Sequence, residues 1–341
     1  MSEAQLLLKM KADEIQSPIR YLVPHLPKVV VMIAPERVRE AIPIIAGLTL
    51  HVTNEATWVL CITPEDGVIT VSRRALEILW CVSYAHFVVY TRIAGGKVAS
   101  GGADVVLDLT NDQELRDAAG LLQWAIEAFV SPPGTVGELP LNLPRPLEAP
   151  PKGSNANVAD ELALCAMGFF LFHEIGHSEL EHHDTVERPA KPDPKRWRRK
   201  ERTDPNASSV AQERDADYFA GDWILAQLEL DDPKFVKRAL AATVGLTILV
   251  ARTIHIDAHG GQTHPRPYDR LFHFLDRYLS SDVWHVVWAF AVATLKLHFD
   301  NSTIVLSSPD GGHVDFRSAL DAYVDVLANR DVPAPNDGRP A

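Results

Sequence analysis

The chain predicts an α+β fold, with a small mixed region of strands and helices first and a mainly α-helical core after it. Three observations carry that reading. Short β-branched runs alternate with turn-formers through the first 72 residues. A stretch rich in proline and glycine, without periodicity, occupies 131–157. Beyond it, long segments with helical apolar spacing dominate.

In chain order, KVVVMIA (28–34), LTLHVT (48–53), TWVLCIT (57–63) and GVITVS (67–72) read as strands of one sheet. RRALEILWCVSYAHFVVYTRI (73–93) and NDQELRDAAGLLQWAIEAFV (111–130) read as helices, the second with Asn111 or Asp112 as its N-cap. The segment 131–157 then acts as a linker between a mixed N-terminal region, 1–130, and a helical core, 158–300. In that core Asn157 can cap a helix running to about His183, and Ser209 with Gln212 makes a capping box for a helix to about Leu230. Pro233 suits the first turn of the next helix, and two more begin near Pro267 and Asp282. Residues 301–341 are expected to hold a short helix and a disordered proline-rich tail. No internal repeat is present.

Composition narrows the class. With 341 residues, 46% of them hydrophobic, the chain can bury a sizeable core. Its net charge of -12 disfavours a sequence-independent grip on nucleic acid. The basic run around Trp197, in KPDPKRWRRKERTDPNASS (191–209), is a local exception and reads as a solvated loop or as a mobile lid that touches an acidic partner or nucleic acid. Cys61, Cys81 and Cys165 lie far apart, so neither a disulfide framework nor a cysteine zinc site is indicated, and a reducing compartment fits. The N-terminus lacks the pattern of a signal peptide. The longest apolar run, ALAATVGLTILVA (239–251), is too short to span a bilayer and reads as a buried helix. A soluble cytoplasmic protein is expected.

The chemistry concentrates in FFLFHEIGHSELEHHD (169–184). On a helix, His173 and His177 stand one above the other and can present two imidazoles to one ion, Zn2+ being the natural guest. Glu174 points about a quarter-turn away, where a carboxylate can act as general base. A string of this form arises by chance in a chain of this length roughly a few times in a hundred, so the motif needs support. A catalytic zinc takes three protein ligands. His183 has the metzincin spacing, but position 180 is Leu where that pattern needs Gly, and no methionine follows Met167. The alternative is Glu213 in AQERDADYFAGDW, with Asp217 one turn later placed to meet a histidine's second ring nitrogen; an ordinary charged helix face gives the same spacing. Asp215 falls on another face and reads as solvated. In GGQTHPRPYDRL, His264 or Arg270 could stabilise an oxyanion, or could cap a helix and pair with a carboxylate.

The ordered set HEIGHSELEH, ERDAD followed by YFA, and THPRPYDRL resembles the gluzincin metallopeptidases of the HtpX and CAAX-prenyl-protease type. That resemblance implies a zincin-like catalytic core with His173, His177 and Glu213 as zinc ligands and Glu174 as catalytic base. It implies that Asp217 supports a ligand and that His264 and Arg270 line the site. Those relatives have membrane-spanning helices, which this chain lacks. Its layout is more similar to the Lit-type phage-exclusion peptidases, which implies a defence protease with a protein substrate in the host, translation elongation factor being that family's target. The expected function is therefore zinc-dependent endopeptidase. The rivals are a non-catalytic zinc-stabilised helical domain acting as an interaction module, against which Glu174 argues, and a DNA-linked regulator, for which no helix-turn-helix or finger spacing is found.

Overall fold

The computed structural model describes residues 8–63, 66–100, 105–180, 205–225, 228–229, 232–256, 267–279, 304–306 and single positions between 287 and 297. The α+β class is what it shows. A four-stranded sheet forms from β1 (Lys9–Ala12), β2 (Thr49–Thr53), β3 (Leu60–Thr63) and β4 (Val68–Ser72), in the order β1-β2-β4-β3. β1 runs parallel to β2 and β2 parallel to β4, whereas β3 returns antiparallel to β4 and forms an outer edge. Leu50 and Val52 of β2 and Ile69 and Val71 of β4 are buried, the period-2 pattern of strands packed on one face.

The run 28–34 is not a strand. Val29–Ile33 forms a short helix, α1, followed by a 3-10 turn at Pro35–Arg37 and by α2 (Val38–Ile45). A short apolar β-branched run does not by itself distinguish strand from buried helix; here Val29, Val30 and Ile33 share the face that meets the core. Conversely β1, KMKA, exposes all four residues, so it lacks any apolar pattern and exists through main-chain pairing with β2.

The helices follow the expected order with adjusted ends. α3 (Arg73–Ser100) continues past 93, and α4 (Gln113–Val130) is capped by Asp112, which accepts from Leu115 N at 3.1 Å. α5 (Asn155–Glu179) takes Ser154 rather than Asn157 as N-cap; Asn157 N donates to Ser154 Oγ at 3.3 Å. α6 (Pro205–Leu225) begins a turn before Ser209, which lies inside the helix instead of capping it. α7 (Pro233–Ile256) contains the long apolar run, and α8 is Pro267–Tyr278. β5 (Val105–Leu107) pairs antiparallel with β6 (Ile304–Leu306). The helix expected from Asp282 and most of 301–341 lie outside the described residues. Among those described, no helix is long and apolar enough to cross a membrane.

α5 is the central beam. It packs against α1, α3, α6 and α7, and its apolar residues occur all round, as befits a helix without a solvent face over most of its length. Close crossings need small residues. A methyl on Gly168 would stand 2.1 Å from Ile33 Cδ1, and one on Gly245 would stand 2.8 Å from Phe170. One buried apolar cluster joins residues from both sides of 131–157. The proline-rich segment itself is held by Arg74, whose guanidinium donates to the carbonyls of Val136 and Gly137 at 3.1–3.3 Å and to Ala56 O at 3.3 Å.

Candidate metal centre

The last turns of α5 carry the sequence HEIGH, and α6 crosses them closely. Gly176 makes the crossing possible: an added methyl would already meet Phe219 at 3.2 Å. Phe172 stacks on Trp223 with ring centroids 4.9 Å apart, fixing the rotation of α6 so that Glu213 faces the histidines.

His173 and His177, one turn apart, set their rings at 88° with Nε2 atoms 3.1 Å apart. Glu213 closes the triangle, with Oε2 3.5 Å from His173 Nε2 and Oε1 3.5 Å from His177 Nε2. The ligand atoms all fall within 4.8 Å of one another. Ligand atoms around tetrahedral zinc, about 2.0–2.1 Å from the ion, are spaced about 3.3 Å apart, so the observed separations fit such an ion. Two imidazole nitrogens and a carboxylate oxygen are also a donor set suited to zinc.

A second layer supports the first. Asp217, one turn after Glu213 on α6, brings Oδ1 to 2.9 Å from His173 Nδ1, off the line of the ring N–H. Arg270 of α8 donates to Asp217 twice, from Nε to Oδ2 at 2.8 Å and from Nη2 to Oδ1 at 2.7 Å, and its Nη1 lies 3.3 Å from Glu213 Oε2. His173, Asp217 and Arg270 are all buried. Glu174 lies apart from this layer, and its Oε2 accepts from the main-chain N–H of Ile62 at 3.0 Å.

The electrostatics follow. Burial opposes charge on His173, but the Asp217 and Glu213 carboxylates outweigh it and push its pKa up to about 9. Burial would raise Glu213, yet hydrogen bonds from His173 and His177 and the Arg270 charge hold it well below the usual carboxylate range. Asp217 is lowered too, the Arg270 charge and His173 outweighing its burial. Glu174 goes the other way. Burial raises it despite the two histidines and the Ile62 N–H, which makes it a better base than an exposed glutamate.

His173, Glu174, His177, Glu213, Asp217 and Arg270 are thus brought together, and Asp215 is exposed. The Arg270 guanidinium is engaged by carboxylates, as one of its two expected roles had it. His264, His183 and the basic run 191–202 lie outside the described residues. Sequence reasoning missed Ile62, and no side-chain pattern could have found it, because the group involved is a backbone N–H.

A family model described as Peptidase U49 matches residues 69–291, well over half of the chain. The chain belongs to the Peptidase U49 family. The span matched to Peptidase U49 begins within β4 and contains every side chain of the cluster. The chain is also 27% identical over 270 residues to a protein of Escherichia coli (strain K12) named cell death peptidase, an overlap covering 75% of this chain and 80% of that one. The resemblance to Lit-type peptidases is supported by both findings. No solved structure matches.

Proposed function

We propose that this Peptidase U49 chain is a zinc-dependent endopeptidase acting on a protein substrate. The observation that carries the reading is the convergence of His173 Nε2, His177 Nε2 and the Glu213 carboxylate within 4.8 Å, with Glu174 adjoining in sequence. His173, His177 and Glu213 would hold the ion, and Asp217, itself fixed by Arg270, would orient the His173 ring. Zinc, when bound, supplies Lewis-acid activation of water and of the scissile carbonyl.

The remaining steps belong to the chain. Glu174 takes the proton from the attacking water and hands it to the departing amine. Burial, which makes its carboxylate more basic, suits it to both transfers. Arg270 is engaged with Asp217 and Glu213, so we assign it to holding the ligand set, and we assign oxyanion stabilisation to His264. The named relative is a cell death peptidase, and the Lit-type likeness points the same way, to a defence enzyme that cuts a host protein, with translation elongation factor as the first substrate to try.

Elemental analysis of the purified chain and two variants tests the reading. Near one zinc per chain is expected, lost or weakened in Glu213→Ala and retained in Glu174→Gln, with turnover abolished in both. A wild type that takes up no zinc after loading would end the proposal.

A further inference from the structure

We propose that the main-chain N–H of Ile62, on the outer edge of β3, positions the Glu174 carboxylate for proton transfer and so makes the N-terminal sheet part of the reaction centre. The proposal rests on the peptidase reading above. Ile62 precedes the span matched to the family, 69–291.

The sheet's own hydrogen bonding dictates which way that N–H points. Ser72 N donates to Val59 O at 2.9 Å, and the register pairs Leu60 with Val71 and Ile62 with Ile69. In an antiparallel pair, residues alternate between bonding the partner strand and facing away from it. Val59, Cys61 and Thr63 therefore face β4, while the N–H groups of Leu60 and Ile62 point off the edge. The N–H of Ile62 finds Glu174 Oε2 at 3.0 Å, 112 residues away in sequence.

β3 is a rigid mount for such a donor. Val59 N donates to Ser72 Oγ at 3.0 Å, and the same oxygen accepts from Ala75 N at 3.1 Å, so one hydroxyl ties the start of β3 to the first turn of α3. Arg74 holds Ala56 O just before the strand. α5 packs on both β3 and α3, so the frame that fixes Ile62 also fixes the helix bearing Glu174. A glutamate side chain turns about three bonds, whereas a main-chain donor has no rotamers. Anchoring Oε2 removes that freedom and leaves Oε1 to carry the proton. Misplacement of a reacting group by about 1 Å can cost on the order of a hundredfold in rate, so the anchor matters for turnover more than for binding.

The direction of the N–H also makes the test clean. Proline at an outward-facing edge position removes a donor without breaking the ladder. Ile62→Pro is compared with Leu60→Pro, which loses an equivalent outward N–H that does not reach Glu174. In a second pair, each residue is replaced by its α-hydroxy acid, which deletes the N–H without adding a ring. Zinc content, kcat and KM are measured on dye-quenched casein with the full chain.

The expected result is that both changes at 62 keep zinc and leave KM within about twofold, while kcat falls on the order of tenfold to a hundredfold. The changes at 60 should leave kcat near the wild-type value. Unaltered kcat in the α-hydroxy acid form at 62, or equal losses at 60 and 62, overturns the proposal. Amide hydrogen exchange at Ile62 provides a readout independent of turnover: protection is expected in the wild type and lost in Glu174→Ala, and protection unchanged in that variant also overturns it. A wild type that neither holds zinc nor cuts casein overturns the peptidase reading itself, an outcome distinct from any difference between positions 60 and 62.

Discussion

Arg270 grips Asp217 through two parallel hydrogen bonds, Nε to Oδ2 at 2.8 Å and Nη2 to Oδ1 at 2.7 Å, in a buried setting. This fork leaves Asp217 one well-defined orientation, with Oδ1 also against His173 Nδ1.

Asp217→Asn keeps the shape and removes the charge that supports the His173 ring. Zinc affinity should fall about 10–100-fold, measured by competition with a chromophoric chelator. An unchanged affinity would show that His173 needs no such partner.

Arg270→Met leaves the buried Asp217 and the half-buried Glu213 without the guanidinium that pairs with both, at a cost of about 3–5 kcal/mol in unfolding free energy. Arg277→Met is the contrast, since the Arg277–Asp222 pair is exposed and its loss should cost less than about 1 kcal/mol. Urea titration of the two variants, which should differ several-fold in effect, checks the distinction.

Asp160 on α5 accepts from Trp80 Nε1 at 2.6 Å, yet burial outweighs that bond and raises its pKa to about 6. A carboxyl whose folded pKa exceeds its unfolded value stabilises the fold fully only below the unfolded value. That stability is lost as pH rises through about 6. Asp160 is only partly buried, so solvent screening trims the effect, and Asp160→Asn should raise stability at pH 7.5 by about 1 kcal/mol and change little at pH 3.5. Urea unfolding at the two pH values gives the comparison, and equal effects at both would count against it.

Gly168→Ala should destabilise the chain by about 1–3 kcal/mol, because its methyl would sit 2.1 Å from Ile33 Cδ1. Ile33→Val removes that terminal carbon, so the double variant should recover part of the loss. Additive losses in a double-mutant cycle would place the strain elsewhere.

Much of this was legible in the sequence where one periodicity sufficed. The i, i+4 pairs His173/His177 and Glu213/Asp217 announced two helix faces, and the structure sets those faces against each other. The choice of Glu213 over His183 needed a motif order and not a spacing alone. Local signals failed where a residue type suits two states. The β-branched run Val29–Ile33 became a helix, and Ser209, with the right partner for a capping box, lies inside α6. β1 was invisible because KMKA has no buried side chain to mark it. Ile62 was invisible for a deeper reason: its contribution comes from the backbone, which every residue but proline shares.

A peptidase keeps company with copies of itself, and a proline-rich stretch with no ladder of its own is where such a copy would find main chain to cut. Cleavage requires a run of backbone to peel away into extended form. By drawing the carbonyls of Val136 and Gly137 onto a buried guanidinium, Arg74 denies that slack at the start of the stretch.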